Sequence, residues 1–307
     1  MPHDQPGDHG APPFTASSSS GAELASARGR GALIHGAGGP LMVYRSGMGA
    51  PVLLVHGLTS SALQWYPVVP ALARRYEVIA VDARGHGGSA LAGGAADRLD
   101  YSARHHAADL IAVLDRLGIA RASLVGQSMG AENVACCAAR YPERVTCVVL
   151  EDPPWWPLPQ APLRARRDMR REWHAQLLGE QRLPDAELRA QRAGPAPDLR
   201  SALVEELLAD RRRLAPAVLE WLVEREHWSR FVPDLVAPTL LLTGDLDQGA
   251  IVTPLVAQQV QARCAMGGNQ CRIRVRHMAG AGHGIHDQRP REFLAAVLPF
   301  LAAHAAR

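Results

Sequence analysis

The sequence predicts an α/β fold with a mostly parallel sheet, helices on both of its faces and an inserted helical cap. Short apolar segments alternate with helical patterns through most of the 307 residues, which is typical of parallel strands joined by helices. The alternation stops between residues 153 and 236, where the patterns are helical and rich in arginine. Polar clusters directly follow the apolar segments, and parallel sheets bind their ligands beyond the carboxyl ends of the strands.

Each predicted strand is a short apolar segment bounded by turn residues. Residues 32–35 and 41–44 flank a Gly-rich connection and predict a hairpin, whereas residues 51–55 are continuously apolar, as in a strand buried on both faces. Ser102 and Gly118 predict the start and the end of one helix. Further strands are predicted over residues 78–81, 122–125, 145–150, 238–242 and 272–277. Helices are predicted over residues 61–75, 102–117, 131–140, 163–173, 185–192, 201–213, 217–228 and 289–305.

The domain organisation follows from the same patterns. Residues 1–30 are Pro, Gly, Ser, His and Asp with few large apolar side chains, so we expect them to form a disordered tail. Residues 31–152 and 237–307 are expected to form the core, and residues 153–236 the helical cap, or lid.

The composition excludes several classes of function. The 33 basic and 30 acidic residues give a net charge of +3, which is too balanced to predict a nucleic-acid partner or an acidic membrane surface. The sequence contains no lysine, so Schiff-base chemistry on a lysine is excluded. No apolar run approaches the roughly 18 residues of a membrane span. Without a signal-peptide pattern, we expect a cytoplasmic protein of undetermined oligomeric state.

The five cysteines are too few for a disulfide scaffold in a chain of this length. Cys136, Cys137 and Cys147 lie in apolar segments and are expected to be small core residues. Cys264 and Cys271 flank a short loop and would pair in an exported protein, but without a secretion signal two free thiols are expected.

The segment Gly126-Gln127-Ser128-Met129-Gly130 lies between a predicted strand and a predicted helix. A serine in such a Gly-x-Ser-x-Gly turn adopts strained backbone angles, and its hydroxyl projects beyond the sheet. The two glycines are needed because a side chain at either position would crowd the neighbouring strand and helix. Ser128 is therefore the candidate nucleophile.

A serine hydroxyl needs a base within hydrogen-bond reach, and the base needs a carboxylate that orients it. His283, in a glycine-rich loop, is the candidate base, and His286 is its competitor. Asp247, just past the strand that follows the cap, is the preferred carboxylate, and Asp152, at the end of the strand after Ser128, is its main rival. His283 and His286 lack a third ligand at useful spacing, so no metal site is expected.

The tetrahedral intermediate of such a reaction carries an oxyanion that preformed donors must stabilise. The backbone N–H groups of Met129 and Leu58 are the candidate donors, and the loss of one donor costs on the order of 3 kcal/mol. Trp65, Trp155 and Trp156 are candidate residues of an apolar substrate pocket. Core packing is an equally good interpretation of the tryptophans in the cap.

Several motifs together resemble the α/β-hydrolase superfamily: Val55-His56-Gly57, residues 82–89, the Ser128 turn, Gly244-x-x-Asp247 and Gly282-His283. The resemblance covers about residues 31–150 and 237–305. It implies a Ser-His-Asp triad beneath a helical cap, in a serine member of the esterase or lactonase type. Dehalogenases and epoxide hydrolases of this fold carry aspartate at the position of Ser128, which disfavours those activities. Some lactonases of the family take their acid from the strand after the nucleophile, which supports Asp152.

The resemblance and the candidate residues lead to one functional hypothesis. We expect a cofactor-free serine hydrolase that cleaves hydrophobic carboxylic esters or lactones through an acyl-enzyme intermediate. Alternatives on the same fold are carbon–carbon bond hydrolysis, acyl transfer and perhydrolysis. A fourth alternative is a ligand receptor that retains the triad and signals through its cap.

Overall fold

The computed structural model of the protein describes residues 31–92, 100–157, 159–192, 201–266 and 272–305. Eight strands lie in the described chain. They are β1 (Ala32–His35), β2 (Pro40–Ser46), β3 (Ala50–Val55), β4 (Tyr76–Val81), β5 (Ala122–Gln127), β6 (Val145–Glu151), β7 (Thr239–Thr243) and β8 (Ile273–His277).

The strands form one sheet in the order β1-β2-β4-β3-β5-β6-β7-β8. β2 pairs with both β1 and β4 in antiparallel fashion, and the five remaining pairings are parallel. The predicted α/β class with a mostly parallel sheet is therefore confirmed. Because β3, β5, β6 and β7 are parallel neighbours, the residues that follow them meet at one edge of the sheet.

The two faces of the sheet carry separate apolar clusters, because successive side chains of a strand point to opposite faces. In β5, Leu124 belongs to the cluster on one face and Val125 to the cluster on the other. In β6, Val148 and Val149 divide in the same way. All residues of β5 and β6 are buried, so the strands that carry the candidate site are held on both sides.

Helices connect the strands and cover both faces of the sheet. The described α-helices are α1 (Val69–Leu72), α2 (Gly87–Ala92), α3 (Ala103–Arg116), α4 (Met129–Arg140), α5 (Leu163–Arg182), α6 (Asp185–Arg192), α7 (Ser201–Arg213), α8 (Trp221–Glu224), α9 (Pro254–Met266), α10 (Ile285–Gln288) and α11 (Pro290–His304). Short 3-10 helices lie at Ala62–Trp65, Pro142–Arg144, Pro216–Glu220, Trp228–Arg230, Val232–Asp234 and Leu246–Gln248.

The prediction of one helix over residues 61–75 is wrong. The chain forms the 3-10 helix Ala62–Trp65 and then the single turn α1. Pro67 and Pro70 explain the difference, because each lacks a backbone N–H and an interior proline clashes with the preceding turn.

The described residues between β6 and β7 form α5 to α8, three of the 3-10 helices and connecting loops. The helical patterns of this segment are thus present, while its division from the core as a separate cap remains a prediction. The tail predicted for residues 1–30 lies outside the described residues.

Cys264 is disulfide-bonded, so the expectation of a free thiol at this position is wrong. Cys271 lies outside the described residues. The other three cysteines, Cys136, Cys137 and Cys147, are free and buried, as the apolar context predicted. Among the helices described, none combines the length and the apolar character needed to cross a bilayer.

The glycines beside Ser128 are required by the close approach of backbone. A Cβ atom on Gly130 would lie 2.1 Å from the carbonyl oxygen of Val55, and one on Gly126 would lie 2.3 Å from the carbonyl oxygen of Gly130. Both contacts are far inside van der Waals distance, and the neighbouring atoms are backbone, which cannot move aside cheaply.

We predict that Gly130→Ala lowers the free energy of unfolding by about 3 kcal/mol or more, at the upper end of the overpacking range. Gly179→Ala is the matched control, because Gly179 lies within α5 and a Cβ atom there meets nothing within 4 Å. The control is expected to stabilise the protein by up to about 1 kcal/mol through helix propensity. Urea denaturation of both variants measures the difference, and equal stability would contradict the crowding argument.

Candidate active site

Ser128 lies at the sharp turn between β5 and α4. Its backbone angles are φ 53° and ψ −121°, a region that non-glycine residues avoid. The Ser128 N–H donates to the Glu151 carbonyl (2.9 Å), and the Ser128 carbonyl accepts from the Glu132 N–H (3.1 Å). The backbone of the candidate nucleophile is therefore held by β6 on one side and by its own helix on the other.

His283 pairs with Asp152. The Nδ1 of His283 lies 2.6 Å from Asp152 Oδ2, and the Asp152 side chain is fully buried at the end of β6. Asp152 also has a positive φ of 40°, and its carboxylate accepts the N–H groups of Ile251 (2.8 Å) and Val252 (3.0 Å). With Nδ1–H donating to the carboxylate, the lone pair of Nε2 is available as a base.

The expectation that Asp247 orients His283 is wrong, because Asp152 occupies that role in the structure. Asp247 lies on the exposed 3-10 helix Leu246–Gln248. It lines a cavity of about 560 Å³ together with Asp245 and His277. Neither Ser128 nor His283 lines that cavity. Asp245 accepts the Gly280 N–H (2.6 Å), which lowers its carboxyl pKa.

Within the described chain, no hydrogen bond joins the Ser128 hydroxyl to His283. The loop is nevertheless held close to the serine turn, because Gln127 Nε2 donates to the His283 carbonyl at 3.1 Å. The His283 side chain is about one-third exposed. Hydrogen bonds of catalytic groups are often long or misaligned without substrate and shorten when substrate binds.

The loop after β3 carries Leu58, whose N–H makes no hydrogen bond in the described part of the protein. His56 braces this loop: its Nε2 accepts the Ala83 N–H (2.9 Å), and its Nδ1 donates to the Gly57 carbonyl (2.8 Å). Burial lowers the pKa of His56 to about 4, so its ring is neutral near pH 7 and does not compete with His283. His86 Nε2 donates to the Leu58 carbonyl (2.6 Å).

Met129 begins α4, so its N–H is one of the free donors at the helix N-terminus. A single apolar cluster contains both candidate oxyanion residues and side chains of the segment between β6 and β7. Its members from that segment are Leu177, Leu214, Val218, Leu219, Trp221 and Leu222. The side chains of Leu58 and Met129 therefore pack against apolar side chains of that segment.

The prediction that Trp65 and Trp155 line a substrate pocket is wrong. Both side chains are fully buried. The Trp65 ring packs 4.3 Å from the ring of His286, and the Trp155 ring packs 6.1 Å from that of Trp228. Both rings are therefore part of the packed core in this structure, and neither lines an open pocket.

Trp156 is partly exposed. The guanidinium carbon of Arg225 lies over the Trp156 ring, 4.5 Å from the ring centre. Arg225 also pairs with the buried Glu132 of α4 and donates to the Pro154 carbonyl (2.7 Å). Burial raises the pKa of Glu132 to about 7, against the opposing effect of Arg225. Sequence reasoning missed this ion pair because 93 positions separate its partners.

We predict that Trp65→Ala lowers the free energy of unfolding by about 3–5 kcal/mol, because a large aromatic side chain is removed from a packed core. Trp173→Ala is the matched control: its side chain is 40% exposed, and a change within about 0.5 kcal/mol is expected. Thermal and urea unfolding measure both. A Trp65→Ala variant of unchanged stability with a raised KM would restore the pocket interpretation.

The chain matches the family model described as "alpha/beta hydrolase fold" over residues 50–290. It is 38% identical over 114 residues to the 2-(acetamidomethylene)succinate hydrolase of Mesorhizobium japonicum, a match to 36% of this chain and 38% of that relative. It is 36% identical over 106 residues to a fluoroacetate dehalogenase of Burkholderia, covering 34% of this chain and 35% of the relative. These matches span little more than a third of each relative.

Solved structures are similar over most of the chain. The crystal structure of E-2-(acetamidomethylene)succinate hydrolase superimposes with a TM-score of 0.71 and 23% identity, covering 89% of this chain and 98% of that one. A thermophilic esterase from Thermogutta terrifontis, solved with malate bound, gives a TM-score of 0.68 and 22% identity, with 90% and 99% coverage. At these identities the likeness concerns the fold.

Proposed function

The chain belongs to the α/β-hydrolase fold family, and we propose that it is a serine hydrolase that cleaves carboxylic esters or lactones through an acyl-enzyme. The observation that carries the proposal is the contact between His283 Nδ1 and Asp152 Oδ2 at 2.6 Å. The His283 loop is also hydrogen-bonded to the side chain of Gln127, the residue before Ser128. A strained serine, an imidazole and a buried carboxylate are the parts that acyl transfer needs.

In the proposed mechanism, the Ser128 hydroxyl attacks the ester carbonyl while His283 Nε2 takes its proton. Asp152 keeps the proton of His283 on Nδ1 and stabilises the imidazolium that forms. The N–H groups of Leu58 and Met129 stabilise the oxyanion. His283 then protonates the leaving alcohol, and the acyl group stays on Ser128. Water, activated by the same imidazole, releases the acid and restores the serine.

The charges around the site favour a neutral acyl group. A buried anionic substrate needs a cation that no other group has neutralised. Each buried arginine of the described chain already has a carboxylate partner: Arg84 pairs with Asp109, Arg211 with Glu180 and Arg225 with Glu132. The apolar cluster over Leu58 and Met129 supports the same preference.

A substrate panel tests the proposal. We expect p-nitrophenyl butyrate and octanoate, or medium-chain lactones, to turn over with kcat/KM of at least about 10⁴ M⁻¹s⁻¹. A p-nitrophenyl hemisuccinate should react more slowly, because the three buried arginines of the described chain are already paired with carboxylates. A fluorophosphonate should stop turnover at one equivalent per chain. An inert chain that no fluorophosphonate labels would contradict the proposal.

A second candidate is hydrolysis of an acyl–nitrogen bond. The relative with 38% identity over 114 residues bears a name that contains an acetamide group, and amide cleavage uses the same tetrahedral intermediate. A p-nitroanilide of the preferred acyl group distinguishes the two. Anilide turnover equal to that of the matching ester would favour the second candidate.

A further inference from the structure

A second carboxylate–imidazole pair lies beside the first one. Glu151 precedes Asp152 at the end of β6, and His286 follows His283 by three positions. His286 Nδ1 is 2.9 Å from both carboxylate oxygens of Glu151, and the His286 N–H donates to Glu151 Oε1 at 2.9 Å. The Glu151 side chain is fully buried and that of His286 is nearly so. The family motifs in the sequence do not include either residue.

Both ring nitrogens of His286 face acceptors. Nδ1 faces the Glu151 carboxylate, and Nε2 lies 3.2 Å from the carbonyl oxygen of Gln64. A carbonyl oxygen only accepts, so both contacts are hydrogen bonds only when both nitrogens carry protons. The carboxylate at Nδ1 and the carbonyl at Nε2 together favour an imidazolium, whose charge is balanced by Glu151.

The pair joins three parts of the proposed site. The Glu151 carbonyl accepts the Ser128 N–H (2.9 Å), and its side chain holds the helix that follows the His283 loop. Gln64, on the other side of the ring, accepts the Gly57 N–H through its side chain (3.3 Å), beside Leu58. The Trp65 ring covers the imidazole.

We propose that His286 is a positioning residue, whose imidazolium, clamped between Glu151 and Gln64, sets the distance between the His283 loop, Ser128 and the Leu58 loop. The expected effect on turnover rests on the proposed function. The structural statement about His286 rests on its hydrogen bonds alone. His286 does not touch substrate; it acts through His283 and the oxyanion donors.

The charged groups that act on His286 are Glu151 of β6 and Asp287 of its own helix. The side chains packed on it from neighbouring elements, Trp65 and Phe293, are uncharged. Burial opposes its charge, but Glu151 prevails and the pKa of His286 is raised above 6.5. The pair therefore stabilises the folded protein fully below pH 6.5, and this contribution is lost as the pH rises through the raised pKa.

The test compares Glu151→Gln with Asp287→Asn. Both remove one negative charge near His286, but Asp287 is exposed. We expect Glu151→Gln to lower kcat by about 10- to 100-fold with little change in KM, as misplacement of reacting groups does. The alkaline limb of its pH profile should move down by at least about one unit, while the acid limb stays in place. Asp287→Asn should change neither kcat nor the alkaline limb substantially.

Nitrogen-detected NMR of the histidine rings gives a readout that needs no turnover. The signal that is missing from the spectrum of His286→Gln belongs to His286. We expect His286 to carry both ring protons at pH 7.5 in the unaltered protein and only one in Glu151→Gln. Hydrogen exchange of residues 280–286 should quicken in Glu151→Gln. A neutral His286 at pH 7.5 in the unaltered protein would overturn the proposal, even if the variant fails to fold. Ester inactivity together with a charged His286 would count against the proposed function alone.

Discussion

Asp152→Asn is expected to lower kcat/KM by about 10⁴-fold, as when an orienting aspartate becomes asparagine. The amide NH₂ would donate to His283 Nδ1, which places the ring proton on Nε2 and removes the base. Asp247→Asn should leave kcat/KM within about threefold, because Asp247 is exposed and makes no hydrogen bond in the described residues. Steady-state kinetics on one ester measure both variants.

The stability of Asp152→Asn needs a separate measurement, because Asp152 also accepts the Ile251 and Val252 N–H groups. One of these bonds is lost in the variant, at a cost of about 1–3 kcal/mol. Kinetics are therefore compared at a temperature where circular dichroism shows both variants folded. A larger kinetic loss in Asp247→Asn than in Asp152→Asn would return the orienting role to Asp247.

Ser128→Ala and Ser128→Gly are both expected to lower kcat by about 10⁴- to 10⁶-fold, because no nucleophile remains. Their stabilities should differ. The φ of 53° at position 128 is strained for alanine and free of strain for glycine. The free energy of unfolding of Ser128→Gly should therefore be higher than that of Ser128→Ala by about 1 kcal/mol or more.

This pairing separates chemistry from folding, since the glycine variant is predicted to be inactive and more stable than the alanine variant. Kinetics and urea denaturation on the same preparations measure the two effects. If either variant kept more than about one-hundredth of the activity of the unaltered protein, Ser128 would not be the nucleophile.

The fold could be predicted from the sequence because its signals are local. The continuous apolar run at residues 51–55 predicted a doubly buried strand, and β3 spans Ala50–Val55. The turn around Ser128 was predictable because only glycine fits beside it. One helix does not span residues 61–75 because Pro67 and Pro70 interrupt it.

The pairing within the site could not be read from local patterns. Asp152 and Asp247 both follow strands that end at the same edge of the sheet, so sequence order leaves both available. The structure decides between them: the Asp152 carboxylate lies 2.6 Å from His283 Nδ1, whereas the 3-10 turn leaves Asp247 exposed to solvent. The direction of the Trp65 side chain is likewise absent from local sequence patterns, because its burial against His286 depends on a residue 221 positions away.

The most direct test of the account looks for the acyl group itself. Acid-quenched reaction with p-nitrophenyl butyrate is expected to show a burst of about one p-nitrophenol per chain. Mass spectrometry should then find the butyryl group on Ser128, within the tryptic peptide that spans residues 122–140. Turnover with no burst and an unmodified Ser128, or with the acyl group on another residue, would contradict the proposed mechanism.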